Sequence, residues 1–294
     1  MIPRRRFLQT ATAAASAAAT MTNGFALPPT GAEVIDCHAH LHHRSNPHWE
    51  RLDRALLDAS AQLGIGQLCC STLPPRRPAT PEAWRECNDS TAEAVRRYPG
   101  KVLAWAHVNP GYREALDDVR RLVEERGFIG VKLYNEYWAN EPVLFPLVEL
   151  CIKLGVPILH HAGHTMWLSA AQPRISDGSH FSDLARRYPE ALIICAHICG
   201  GGDWEWEIKA LRHAKSVYLD TSGSVADAGV IEMAVRTLGA ERLLFGCDMS
   251  LTASMGRLRG ADISEADRAR ILGGNMKAIL ARRTRAGGSG SPRA

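Results

Sequence analysis

Residues Glu33 to His43 read EVIDCHAHLHH, placing His38, His40, His42 and His43 within six positions at the end of an apolar run. Successive side chains of a strand point to opposite faces, so His38 and His40, two apart, share a face if the run is extended. Two neutral imidazoles buried there without partners would cost on the order of 1 to 3 kcal/mol each. A metal ion removes that cost. His42 and His43 fall past the run and read as loop residues, solvated or touching a substrate.

Other apolar runs end in groups of the same kind. In PILHHAG only one of His160 and His161 can face inward; His161, at the very end, is the candidate ligand, and His160 is read as pointing outward to helices. His197 ends ICAH ahead of three glycines, which let a ligand approach the backbone closely. Asp248 ends LLFGCD, and Lys132 lies in GFIGVKLY with inward parity shared by Phe128 and Gly130. A lone histidine at a strand end is more often structural than ligating, but together these residues form a donor set.

The elements that must position them are short apolar runs alternating with amphipathic stretches of helical period. Candidate strands are 33–40, 67–72, 101–108, 128–134, 156–161, 191–197, 216–222 and 242–248. Helices fall between them, for example PEAWRECNDSTAEAVRRY and EPVLFPLVELCIKLG, the second stopped by Gly155. A last helix is expected from Ser264 through ILGGNMKAILARR. Eight such units in about 250 residues predict an α/β fold, a (β/α)8 TIM barrel, which brings the polar C-terminal strand ends to one face. The barrel domain is placed at 31–283, and the low-complexity end, 284–294, reads as a disordered tail.

The HxH of strand one, the histidines ending strands five and six and the aspartate ending strand eight resemble the amidohydrolase superfamily. AHICGGGDWEW, FGCDMS and ILGGNMKAIL are similar to its amidohydrolase-related branch, which also contains decarboxylases of aromatic and semialdehyde acids. The resemblance spans residues 33 to 282. It implies that His38, His40, His161 and Asp248 bind a metal, with His197 a ligand of a second ion or a partner of the substrate. In binuclear relatives a lysine placed like Lys132 is carboxylated and bridges two metals; in single-metal relatives it is structural or touches substrate. An unmodified ammonium beside a divalent cation is electrostatically poor.

Imidazoles with one carboxylate suit Zn²⁺ best, with Mn²⁺, Fe²⁺ and Co²⁺ alternatives. One ion is expected, two if Lys132 is carboxylated. Such a cation lowers the pKa of its water to about 7, Asp248 can carry the proton, and His197 can polarise a carbonyl. The leading expectation is therefore hydrolysis of an ester, lactone or amide of a small molecule. The alternatives are decarboxylation of a small carboxylic acid and a non-catalytic metal-binding barrel. Tyr134, His164 and Trp204 are the candidate substrate contacts, with Tyr137, Trp138, Trp167 and Trp206 also near the mouth as substrate, rim or subunit contacts, so a homo-oligomer is compatible with the sequence. Arg76, Arg77 and Arg174 could hold a carboxylate or be solvated. Asp220 could orient a ligand or cap a helix, and Asp36 could hydrogen-bond a ligand histidine.

The 35 basic residues outnumber the 31 acidic ones only because of the chain's ends: without Arg4 to Arg6 and the four arginines from Arg282 onward, 28 basic face 31 acidic. That gives no basic footprint for nucleic acid. Residues 1–26 combine arginines, an alanine-rich run and small residues near Ala26, the organisation of a signal peptide. RRRFLQ resembles the twin-arginine export signal, implying the twin-arginine machinery as a partner and a periplasmic product. No later run reaches the ~20 apolar residues of a membrane span. Of eight cysteines, Cys37, Cys69, Cys70, Cys195 and Cys247 lie in strand-like runs and read as core packing.

Overall fold

The computed structural model describes residues 33–163, 172–198, 200, 203–225 and 227–287, with side chains to 282. The expected signal peptide, His164, Trp167 and the last seven residues of the expected tail lie outside this set. Among the described residues no helix is long and apolar enough to cross a membrane.

Eight strands alternate with helices: β1 (Val34–Leu41), α1 (Trp49–Gln62), β2 (Ile65–Thr72), α2 (Pro81–Arg97), β3 (Val102–His107), α3 (Glu114–Arg126), β4 (Gly130–Leu133) and α4 (Phe145–Leu154). There follow β5 (Ile158–His160), α5 (Gly178–Arg187), β6 (Ile193–Cys195), α6 (Trp204–Leu211), β7 (Val217–Asp220), α7 (Val230–Leu238) and β8 (Leu243–Leu244). Three helices, α8 (Leu251–Gly260), α9 (Glu265–Ala269) and α10 (Asn275–Gly287), complete the chain. The strands lie in sequence order, each parallel to the next. Cys37 N–H donates to Phe245 O at 2.8 Å and Asp248 N–H to His38 O at 2.7 Å, drawing the β8 end against β1. The architecture is the expected (β/α)8 barrel.

Local chemistry explains the boundaries. Thr80 caps α2 with Pro81 in its first turn, and Gly127 and Gly155 end α3 and α4 in the left-handed region that a residue without Cβ enters freely. The expected last helix is broken into α9 and α10 by a π-helical turn, Arg270–Gly274. There Ile271 O accepts Phe245 N–H at 2.9 Å, and Gly273 sits against the Glu33 carbonyl with no room for a Cβ. The wide turn diverts a helical carbonyl to the barrel. Helix α10 continues to Gly287, four residues into the segment expected to be tail.

The barrel interior is filled by Ile35, Cys37, Cys69, Trp105, Ile129, Leu159, Ile194 and Leu244, closed below by Met276 and Ile279 of α10. Phe128, expected to point inward, joins the outer layer between sheet and helices, and Ile129 takes the interior place. On β1 the register jumps from Asp36 opposite Leu68 to Ala39 opposite Cys70, one more residue than β2 uses. This bulge breaks strict alternation: Cys37 packs inside, and His38 next to it also faces the site. The seven described cysteines are all buried and free, including the five expected in strands.

Candidate metal and active site

The chain leaves the extended conformation earlier than expected on β5, β6 and β8, so His161, His197 and Asp248 lie just beyond their strands. His197 and Asp248 have φ of 69° and 43°, in the left-handed region. Such backbone costs of order 1 to 3 kcal/mol per residue and persists where surrounding contacts impose it. At Asp248 its N–H on His38 O is one such contact, and at His197 it is the N–H donated to Asp220 Oδ1 at 3.0 Å.

Three ligand atoms, one each from His38, His197 and Asp248, lie within 4.8 Å of one another. His40 adds its Nε2 at 3.1 Å from Asp248 Oδ1, and His161 its Nδ1 at 2.9 Å from His197 Nε2. Lys132 Nζ stands 2.7 Å from His38 Nε2. Thus the six residues proposed from sequence as metal or proton carriers converge on one place, with His38, His197 and Asp248 the tightest set and His40 and His161 each one contact further out.

Hydrogen bonds assign the tautomers. His38 Nδ1–H donates to Asp220 Oδ2 at 2.8 Å, which leaves a lone pair on Nε2. Ser222 Oγ donates to Asp220 Oδ1 at 2.5 Å, so it accepts the Nδ1–H of His197 at 2.8 Å, and that ring too presents its Nε2 lone pair. His161 Nδ1–H then donates to His197, and its Nε2 faces the Gln172 amide at 3.3 Å. Asp220 therefore orients two imidazoles at once, His38 directly and His197 through Ser222. Asp36 accepts the backbone N–H groups of His38 and Cys247 at 2.9 and 3.0 Å, and does not meet a ligand ring.

Burial sets the charge states. It pushes His38, His40 and His161 below their usual range and His197 down to about 4, keeping the rings neutral and able to ligate. Lys132 is lowered to about 8, also by burial, and remains a cation at neutral pH. For Asp248 burial works the other way, but the His40 hydrogen bond and the neighbouring imidazoles outweigh it and hold the carboxyl well below its usual range. Asp248 is also a third exposed, the opening of the cluster to solvent.

The donor set fits a divalent cation. Neutral imidazoles and an ionised carboxylate converge there, and their lone pairs already attract positive or N–H groups: the Lys132 ammonium rests on His38 Nε2 and the His161 N–H on His197 Nε2. Nitrogen and oxygen donors of this kind suit Zn²⁺, Mn²⁺, Fe²⁺ and Co²⁺.

The remaining candidates scatter. Tyr134 stacks on His161 at 4.2 Å, 12° from parallel, with Arg77 3.4 Å over its ring. Trp204 turns its indole to Asp227 at 2.9 Å, across the loop before α7. Arg174 lies by Glu141, Tyr137 and Trp138. His160 faces outward against Phe181 as expected, and His42 is tied to Asp53 at 2.8 Å. Two residues were missed. Ser222 carries no signal by itself, since its role depends on β7 lying beside His197. His107 does carry one: it closes AWAHV two residues after inward Trp105. It pairs in register with Lys132 and donates from Nδ1 to Lys132 O at 3.1 Å, while Nε2 is buried without a partner.

Fold and site together define a barrel enzyme with its reactive groups at the C-terminal strand ends. A family model described as amidohydrolase matches residues 35–281, and the chain belongs to that family. Among solved structures it is similar to a dihydroxybenzoic acid decarboxylase from Polaromonas sp. JS666 with bound manganese and 2-nitroresorcinol (20% identity, TM-score 0.66, 85% of this chain and 97% of that one). It is similar also to 5-carboxyvanillate decarboxylase from Sphingomonas paucimobilis (16%, 0.65, 85% and 99%). A third likeness is to 4-oxalomesaconate hydratase from Rhodopseudomonas palustris (14%, 0.62, 86% and 97%). These likenesses establish a shared fold. No curated protein matches the chain.

Proposed function

We propose that this protein is a metal-dependent lyase that decarboxylates a small planar carboxylic acid. The observation that carries the metal is the convergence of His38, His197 and Asp248 within 4.8 Å, with His38 held by Asp220 in the tautomer that leaves its Nε2 lone pair for a ligand. Two solved decarboxylases and a hydratase of the same fold support lyase chemistry over the hydrolysis first expected from sequence. His38, His197 and Asp248 would hold the ion, with His40 and His161 the nearest further imidazoles. The manganese in the Polaromonas enzyme supports Mn²⁺ beside the expected Zn²⁺.

A bound cation of this kind anchors and polarises a substrate oxygen. The chain's own residues do the rest. Asp220, directly and through Ser222, keeps His38 and His197 from rotating or changing tautomer. Asp248, ionised at rest, hydrogen-bonded to His40 and open to solvent, would relay a solvent proton to the substrate carbon as its bond to the carboxyl carbon breaks. The carboxylate leaves as carbon dioxide and the proton replaces it. Tyr134, stacked on His161, would border the substrate.

The test is product analysis. Protein reloaded with Mn²⁺ or Zn²⁺ is given a panel of carboxyl-labelled aromatic acids beside esters, lactones and amides. Release of labelled carbon dioxide, lost on chelation and restored by metal, is the expected result; metal-dependent addition of water to the esters, lactones or amides would replace it with the hydrolase reading. The resemblance of residues 1–26 to a twin-arginine export signal supports placing this activity in the periplasm, which fractionation of cells expressing the whole chain would check.

A further inference from the structure

Ser250 N–H donates to Cys247 O at 2.9 Å, closing a four-residue turn whose two central residues, Asp248 and Met249, have φ of 43° and 69°. Positive φ at both places is the type I′ geometry, in which the second place is ordinarily glycine. Aspartate enters the left-handed region with help from its short polar side chain, and a methionine has no such help. Backbone strain of this kind persists where a contact offsets it. The fold does not cover this side chain: Met249 is 38% exposed, whereas Met233 is half-buried and Met255 and Met276 are buried. Among the described residues it is the one methionine open to solvent. Its place is set by its neighbour, since consecutive Cα atoms lie about 3.8 Å apart and Asp248, a third exposed with Oδ1 3.1 Å from His40 Nε2, is where the cluster meets solvent. A strained, uncovered thioether therefore stands at the opening of the site.

We infer that Met249 is a specificity residue whose thioether meets the apolar ring face of the bound acid. This rests on the reading of the site as one for a small planar acid. The contact that offsets the strain then comes from the ligand instead of from the fold. An unbranched thioether suits that role, because it is polarizable, adapts by rotation about its side-chain bonds, and interacts favourably with aromatic rings. Glycine in its place would relax the turn but leave the opening without that apolar surface. The consequence is selectivity: an acid with a flat apolar body beside its carboxylate is favoured over a short aliphatic acid of the same charge.

Titration calorimetry of the Mn²⁺-loaded protein with benzoate and acetate, which share the carboxylate and differ by the ring, tests this, with thermal unfolding read in parallel. Wild type is expected to hold benzoate more tightly than acetate. Met249→Gly should weaken benzoate about 2 to 10-fold, leave acetate unchanged, and keep the thermal midpoint at or above that of wild type as the turn relaxes. Met249→Leu, which keeps the apolar bulk, should keep most of the preference. No preference in wild type, no binding of benzoate, unchanged benzoate binding in Met249→Gly, or equal weakening of both probes would overturn the assignment; the last would make Met249 a support for the Asp248 turn. A lower midpoint in Met249→Gly would overturn it too, by showing that the fold itself uses the side chain. A ring preference lost in Met249→Gly, without carbon dioxide release from any acid, would leave the ring contact standing and remove the lyase reading instead.

Discussion

Asp220 and His38 are joined at 2.8 Å across 182 positions of sequence, and this one carboxylate fixes the tautomer of His38 directly and of His197 through Ser222. Burial opposes its ionisation, but the His38 contact outweighs it and keeps Asp220 charged.

Replacing it by asparagine keeps the shape, removes the charge and leaves one acceptor oxygen where two are used, so either His38 or Ser222 loses its acceptor. Partners of ligating histidines contribute about 10 to 100-fold in metal affinity. Asp220→Asn is expected to lose affinity in that range, read by competition with a chromogenic chelator. Unchanged affinity in a folded variant would refute the orienting role.

Asp248 is the carboxylate of the converging trio and sits in left-handed backbone, which asparagine tolerates better than alanine. Asp248→Asn should therefore fold normally, bind less metal per chain by elemental analysis, and lose at least about 100-fold in turnover. Full metal content together with wild-type turnover would remove Asp248 from the mechanism.

Glu207 of α6 is buried, accepting Gly178 N–H at 2.9 Å and Cys195 Sγ–H at 2.7 Å. Burial raises it from 4.5 to about 7. Between those values the folded protein binds this proton and the unfolded chain does not, so stability falls as pH rises from about 4.5 to about 7. The shift amounts to about 3 kcal/mol, fully lost above pH 7. Chemical unfolding at pH 5 and pH 8 should show Glu207→Gln gaining on wild type by about that amount. Parallel pH profiles for the two proteins would contradict it.

Gly130 opens β4 where an added Cβ would meet Trp105 at 2.6 Å and the Pro157 carbonyl, a backbone atom that cannot move aside. Gly130→Ala should destabilise the barrel by about 1 to 3 kcal/mol, visible as a lower thermal midpoint. A midpoint equal to wild type would show that the interior yields more easily than this packing implies.

The eight apolar runs were readable because each strand is buried on both faces, which writes an unbroken signal into local composition. His38, His40, His161, His197, Lys132 and Asp248 were readable as candidates for the same reason: polar groups stand out at the ends of such runs. Side-chain direction was less legible. Counting by twos sent Phe128 and Asp36 to the wrong partners, because the approach to β4 and the bulge in β1 each break the alternation that counting assumes.

Composition and order along the chain were thus enough for the barrel and for a cluster of nitrogen and oxygen donors at its mouth, since burial period and residue type are local properties. Which nitrogen of each ring is free, which carboxylate holds it, and that Arg77 stands over Tyr134 emerged only on folding. Those relations join residues far apart in sequence, and closure of the barrel alone brings β1, β4, β6 and β7 within hydrogen-bonding distance around one centre.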